Sequence, residues 1–154
     1  MSGRGGRHRL AAAVAGLWLA VAGWAIHGGG ARAEEAAPSV VAVDAAGLVG
    51  LREQGALVID VRRPDEWRAT GVIPGSSLIT AFDADGRPVP GFLAEVQAVA
   101  GKDRPVALIC RSGNRSAMAA RMLTADGYGP VYNIAGGIGA WSAAGGPLVP
   151  CPKC

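Results

Sequence analysis

Beyond residue 38 the hydrophobic positions fall into short blocks of two kinds. Val40, Val41 and Val43, then "ALVID" (Ala56–Asp60), "PVALIC" (Pro105–Cys110) and "VYNIA" (Val131–Ala135), are nearly continuous apolar runs, and "SSLIT" (Ser76–Thr80) is a weaker one. Such runs are the pattern of strands covered on both faces of a parallel sheet. The blocks between them read as helices. Ala45–Gln54 is one. "RRPDEWRATG" holds a short one, with Pro64 at a permitted first-turn position and Gly71 closing it. Phe92–Ala100 is a third. Arg115–Ala125 carries Ala119, Met122 and Leu123 at helical spacing with Gly127 just beyond, and Gly139–Ala144 forms a last short helix. "AFDADGRPVPG" is a loop by its Asp, Gly and Pro content. Strands alternating with helices predict a single α/β domain over residues 39–148, a mostly parallel five-stranded sheet flanked by helices. Ligands of such sheets bind outside the carboxyl ends of the strands, where Asp60 and Cys110 sit.

The first 33 residues follow a different pattern. Arg4, Arg7 and Arg9 form a basic head, Leu10–Ile26 is an uninterrupted apolar run, and Ala31-Arg32-Ala33 is a small-x-small site before Glu34. That order predicts a secretory signal peptide at 1–33 and an exported protein, periplasmic or secreted. A flexible leader follows at 34–38. An uncleaved run would instead anchor the chain to a membrane. Cleavage changes the charge. The whole chain carries +3, but residues 34–154 hold 11 basic and 12 acidic side chains, a formal −1. The pI of 9.1 is then no sign of nucleic-acid binding. The only histidines, His8 and His27, also lie in the first segment. What remains has no Ser-His-Asp triad and no Cys-His dyad.

The candidate chemistry therefore centres on "CRSGNRS", Cys110 to Ser116. A loop entering a helix presents backbone N–H groups with no partner inside that helix, and with the helix dipole they favour negative charge. Gly113 lets the backbone curl, so that several amides point inward. Arg111 and Arg115 add positive charge. A cysteine in that bowl has a depressed pKa and attacks as a thiolate without a base. The alternative is an inert strand-end cysteine, which would not ordinarily sit among Arg, Ser, Gly, Asn and Arg.

The loop resembles the active-site loop of the rhodanese family. Two more segments are similar to that family's signatures: "VIDVRRPDEWRATGVIPGS" near the start and "VYNIAGGIGAW" near the end. Val72 departs from the usual histidine and Ser76 from a frequent alanine. The resemblance covers roughly Val40 to Leu148. It implies a rhodanese-like fold and a sulfurtransferase that needs no cofactor and no metal. Cys110 would take a sulfane sulfur from thiosulfate or a similar anionic donor, carry it as a persulfide, and pass it to a thiol or to cyanide. Arg111, Ser112, Gly113, Asn114, Arg115 and Ser116 would bind the substrate. The loop amides would stabilise the anion, and Arg111 and Arg115 would hold the donor's sulfonate. Related phosphatases place five residues between cysteine and arginine, with a histidine before the cysteine. Here four residues separate Cys110 from Arg115, and Ile109 precedes. The rival reading is a non-catalytic module of the same fold that binds a partner or senses sulfur or oxidation.

Asp60 and Arg62 are expected to support the loop. Asp60 would accept backbone or arginine hydrogen bonds, and Arg62 would pair with Glu66 four residues on. Trp67 and Trp141 read as core, and Gly136, Gly137 and Gly139 as residues that let the last turn pack closely on the sheet. The segment 149–154 ends in "CPKC". Cys151 and Cys154 read as a local disulfide in an oxidising compartment. They read alternatively as a redox relay that takes sulfur from Cys110 and is served by a thioredoxin-like partner, with Lys153 favouring a thiolate. Structural zinc would need four ligands, and no histidine is on hand.

Overall fold

A computed structural model describes residues 39–151 and 154; the predicted signal peptide, the leader and Lys153 lie outside the described residues. Five strands and five helices alternate: β1 (Val40–Val43), α1 (Ala45–Glu53), β2 (Leu57–Asp60), α2 (Pro64–Thr70), β3 (Ser77–Leu78), α3 (Phe92–Val99), β4 (Val106–Ile109), α4 (Asn114–Ala125), β5 (Val131–Ile134) and α5 (Gly137–Ala143). The strands form one sheet in the order β1-β5-β4-β2-β3, and every pairing is parallel. This is the α/β architecture that the apolar blocks predicted. Two boundaries move in ways that matter for the site. α4 opens at Asn114 and α5 at Gly137, each after a glycine in the left-handed region, Gly113 and Gly136.

Side-chain alternation along the strands divides the interior into two layers. On one face Ile59, Val106 and Leu108 meet Phe92 and Val96 of α3 and Ala119, Ala120 and Leu123 of α4. On the other, Val58, Ala107, Ile109 and Ile134 meet Leu48 of α1 and Ile138 and Trp141 of α5. All four residues of β4 are buried, as a central strand covered on both faces requires. Trp67 and Trp141 are core residues, as expected. Asp44 caps α1 by accepting from the Gly47 amide at 2.8 Å. Pro64 opens α2 and Gly71 closes it.

Past α5 the chain turns back. Val149 and Val72 exchange two backbone hydrogen bonds of 2.9 Å each, tying the segment beyond residue 148 to the loop after α2. Among the described residues no helix is long and apolar enough to cross a membrane.

Candidate active site

Parallel pairing of β2 with β4 sets Asp60 opposite Ile109, so the chain leaves both strands at one edge of the sheet. Cys110 is the first residue past β4 and is 1% exposed. Its Sγ accepts from the Gly113 amide at 3.1 Å and from the Ser116 hydroxyl at 3.3 Å. Burial pushes the thiol up. Hydrogen bonds from the Ser116 side chain and from the amides of Ser116, Ser112 and Gly113 pull it down, and they prevail, so Cys110 titrates below its ordinary value. The bowl of amides expected at this helix entry is present, and it points at sulfur.

Two glycines make the bowl. Gly113 has φ +97°, and a Cβ there would come within 3.1 Å of the Gly136 amide nitrogen and 3.3 Å of the Ile134 carbonyl oxygen. Gly137 has φ +59°, and a Cβ there would lie 2.6 Å from the Arg111 carbonyl carbon and closer still to the Cys110 oxygen. The reason for the crowding is that α5 grips the loop from behind. The Ile138 amide donates to the Cys110 carbonyl at 2.8 Å and the Gly139 amide to the Arg111 carbonyl at 3.3 Å. The glycines of "AGGIG" thus serve the cysteine loop itself, and not simply packing on the sheet. With both carbonyls turned back into α5, the amides that follow are free to face Sγ.

Arg115 has a partner that its sequence neighbours did not reveal. Both of its terminal nitrogens are committed to Glu66 of α2, at 2.7 and 2.6 Å. It therefore braces the loop against α2, and Glu66 competes with the sulfonate-holding role expected of it. The same pair displaces the predicted Arg62–Glu66 bridge. Arg62 instead turns back on Asp60, with Nε at 2.9 Å from Oδ1 and Nη2 at 2.6 Å from Oδ2. It also donates to Thr70 Oγ1 at 2.6 Å and to the Gly71 carbonyl at 2.9 Å. Asp60 and Arg62 are 0% and 1% exposed. They join the end of β2 to the end of α2, and among the described residues no hydrogen bond runs from Asp60 to the cysteine loop. Glu66 was expected to pair with Arg62, but its actual partner is 49 residues away. Arg111, Ser112 and Asn114 are exposed at the rim. Arg111 makes no ion pair among the described residues.

The Arg115 hydrogen bonds hold the Glu66 carboxyl down, from its ordinary 4.5 to about 2. A depressed carboxyl stabilises the fold above its unfolded pKa and loses that contribution as pH falls through the folded one. Glu66→Gln is expected to cost about 2 kcal/mol near neutral pH, the scale of hydrogen bonds to a charged group. The gap between variant and wild type should close between pH 4.5 and about 2. Thermal melts of both chains across that range check it. A gap independent of pH would show that the ion pair does not carry the contribution.

Cys151 and Cys154 have Cα atoms 5.5 Å apart, within the span of a disulfide. Cys110 is the free cysteine. Arg68 of α2 donates to the Cys154 carbonyl. Among the described residues no cluster of three or more His, Cys, Asp or Glu stands ready for a metal ion.

An α/β domain with a parallel sheet, carrying a buried cysteine that accepts from a helix-entry amide at the carboxyl end of its central strand, is a cysteine-loop domain. Its family follows from comparison. The family model of the rhodanese-like domain matches residues 44–144, and the chain belongs to that family. A sulfurtransferase of Allochromatium vinosum is 40% identical over 93 residues, covering 60% of this chain and 78% of its own. The thiosulfate sulfurtransferase GlpE of Pseudomonas syringae pv. syringae is 35% identical over 91 residues, 59% of this chain and 76% of its own. A crystal structure from M. tuberculosis superposes with a TM-score of 0.63 at 28% identity, covering 72% of this chain and 97% of that one.

Proposed function

We propose that the protein is a sulfurtransferase that moves a sulfane sulfur from thiosulfate, or a similar anionic donor, to a thiol acceptor through a Cys110 persulfide. The observation that carries this reading is the Cys110 sulfur, which accepts from the Gly113 amide and the Ser116 hydroxyl at the mouth of α4. The Cys110 thiolate attacks the outer sulfur of thiosulfate. A new S–S bond forms, the old one breaks, and sulfite departs with its electron pair. The negative charge ends on the outer sulfur of the persulfide, still within the ring of amides. No base takes part, in keeping with a chain whose only histidines are His8 and His27. Arg111, exposed and without an ion pair among the described residues, is the cation left to meet the donor's sulfonate. Arg115 is occupied by Glu66, which separates this loop from one whose arginine clasps phosphate.

Intact mass spectrometry after incubation with thiosulfate tests the reading. The protein should gain one sulfur atom and lose it to cyanide as thiocyanate. A protein that gains no sulfur while Cys110 still titrates as a free thiol would sink it. The export pattern of residues 1–33 supports a periplasmic or secreted setting for this chemistry.

The CxxC pair supplies a candidate acceptor within the same chain. In the reduced state one tail thiolate takes the outer sulfur from the Cys110 persulfide and releases the Cys110 thiolate. The other tail thiolate then attacks the tail sulfur that now carries the persulfide. Hydrosulfide leaves, and the disulfide between Cys151 and Cys154 closes. An external thioredoxin-like dithiol reduces it and is itself oxidised. Val149, paired with Val72, tethers the tail two residues before Cys151. Replacing both tail cysteines with serine should slow turnover with dithiol acceptors severalfold and leave cyanide turnover intact. If both rates stay at wild-type values, the tail takes no part.

A further inference from the structure

Ser116 presents a proton-counting problem. Its hydroxyl holds one proton, yet three acceptors surround it: Asn133 Oδ1 at 2.7 Å, the Gly113 carbonyl at 3.1 Å and Cys110 Sγ at 3.3 Å. Ser116 is fully buried and Asn133 is 9% exposed. Only one of the three can receive the proton at a time. If Asn133 takes it, the thiolate loses its hydroxyl donor.

A side-chain amide has a donor end and an acceptor end of nearly the same shape, and its orientation follows the bonding on offer. With Nδ2 turned toward Ser116, the amide donates to Oγ and leaves the hydroxyl proton for Sγ. Asn133 stands on β5 at the wall of an open cavity of about 530 Å³, shared with Ala42, Ala117, Arg121 and Thr124, which gives the amide room to turn. A charge on Cys110 favours the donating orientation, because a hydrogen bond to an anion is about twice as strong as one between neutral groups.

We propose that Asn133 is a positioning residue whose amide donates to Ser116 and so commits the Ser116 proton to the Cys110 sulfur. This deepens the sulfurtransferase reading and rests on Cys110 acting as a thiolate. It places a strand residue 23 positions beyond the nucleophile, at the back of the cysteine loop, in control of the nucleophile's charge. The charged groups near this cluster are Arg111 in the loop, Arg115 held by Glu66, the Asp60–Arg62 pair after β2, and Arg121 across the cavity from Asn133.

The test is a titration of Cys110 that uses no sulfur donor. With the tail pair oxidised, the thiolate absorbance belongs to Cys110, and the Cys110→Ser chain supplies the tyrosine baseline. Asn133→Leu, similar in size but without hydrogen bonds, should move the Cys110 midpoint up by about one pH unit, roughly tenfold in the thiolate-to-thiol ratio. A midpoint that stays or falls would mean that Asn133 competes for the proton, and would overturn the proposal. Asn133→Asp, the same shape but an acceptor only, should raise the midpoint further, and it stands in should the leucine variant fold poorly. In a Ser116→Ala background Asn133→Leu should have no further effect. An equal shift there would show that Asn133 acts without Ser116 and would equally overturn the proposal. A shift that depends on Ser116 in a protein that gains no sulfur would uphold the relay while the transferase reading fails. Persulfide formation with an unmoved midpoint would do the reverse.

Discussion

Cys110→Ser is expected to abolish the gain of sulfur from thiosulfate and to cut turnover by at least about a thousandfold, the scale on which removal of a nucleophile acts. The fold should survive. Cys110 is buried, and a serine hydroxyl keeps a hydrogen-bond acceptor facing the Gly113 amide. What is lost is the thiolate. The amide ring lowers the thiol below its ordinary value, but a hydroxyl starts from a much higher pKa and stays protonated at neutral pH. Oxygen also cannot form the S–S bond on which transfer depends. Intact mass and thiocyanate release read the chemistry, and a thermal melt reads the fold. A variant that melts like the wild type and still gains one sulfur atom would move the nucleophile elsewhere in the chain.

Gly137→Ala should do nearly as much from outside the loop. At φ +59° an added Cβ would overlap the backbone of Cys110 and Arg111. Both are main-chain atoms that cannot swing aside as a flexible side chain does. Relief requires α5 and the loop to part, which breaks the bonds from the Ile138 and Gly139 amides to the Cys110 and Arg111 carbonyls. The cost is on the order of 3 kcal/mol in stability. Displacement of the sulfur by a fraction of an ångström to one ångström should slow transfer by roughly a hundredfold. Gly139→Ala is the control, because a Cβ there meets the Arg111 oxygen at 3.6 Å, an ordinary contact. Melting temperature and turnover of the two variants check the pair. Equal, small losses in both would mean that the grip of α5 on the loop is not what shapes the bowl.

Much of the fold was legible along the chain because its signals are local. A strand covered on both faces is largely apolar, so β2, β4 and β5 announced themselves as nearly continuous runs, polar only at Asp60 and Asn133. Pro64 and Gly71 punctuate α2 by their own backbone restrictions. The cysteine loop was legible for the same reason: Cys110, Gly113 and Ser116 are near neighbours, and the helix entry that joins them spans seven residues. Misreadings came where a neighbour in sequence competed with a neighbour in space. Arg62 and Glu66 are four apart, a spacing that suggests a pair on one helix. Arg62 actually precedes α2, and its buried guanidinium closes on Asp60, two residues back. Glu66 is then free to take Arg115.

By itself the sequence determined the alternation of strands and helices, the carboxyl-end position of Cys110, and a chemistry that has no imidazole beyond residue 33. Those follow from residue type and short spacing, which act before the chain is folded. The tertiary structure alone decided that Arg115 braces against Glu66 and that Arg111 stands exposed without an ion pair among the described residues. It also decided that the glycine pair after β5 grips the cysteine loop, and that Asn133 stands behind Ser116. Each of these joins residues that parallel pairing of β2, β4 and β5 brings to one edge of the sheet. The geometry of that edge, and not any periodicity in the chain, sets which side chains meet.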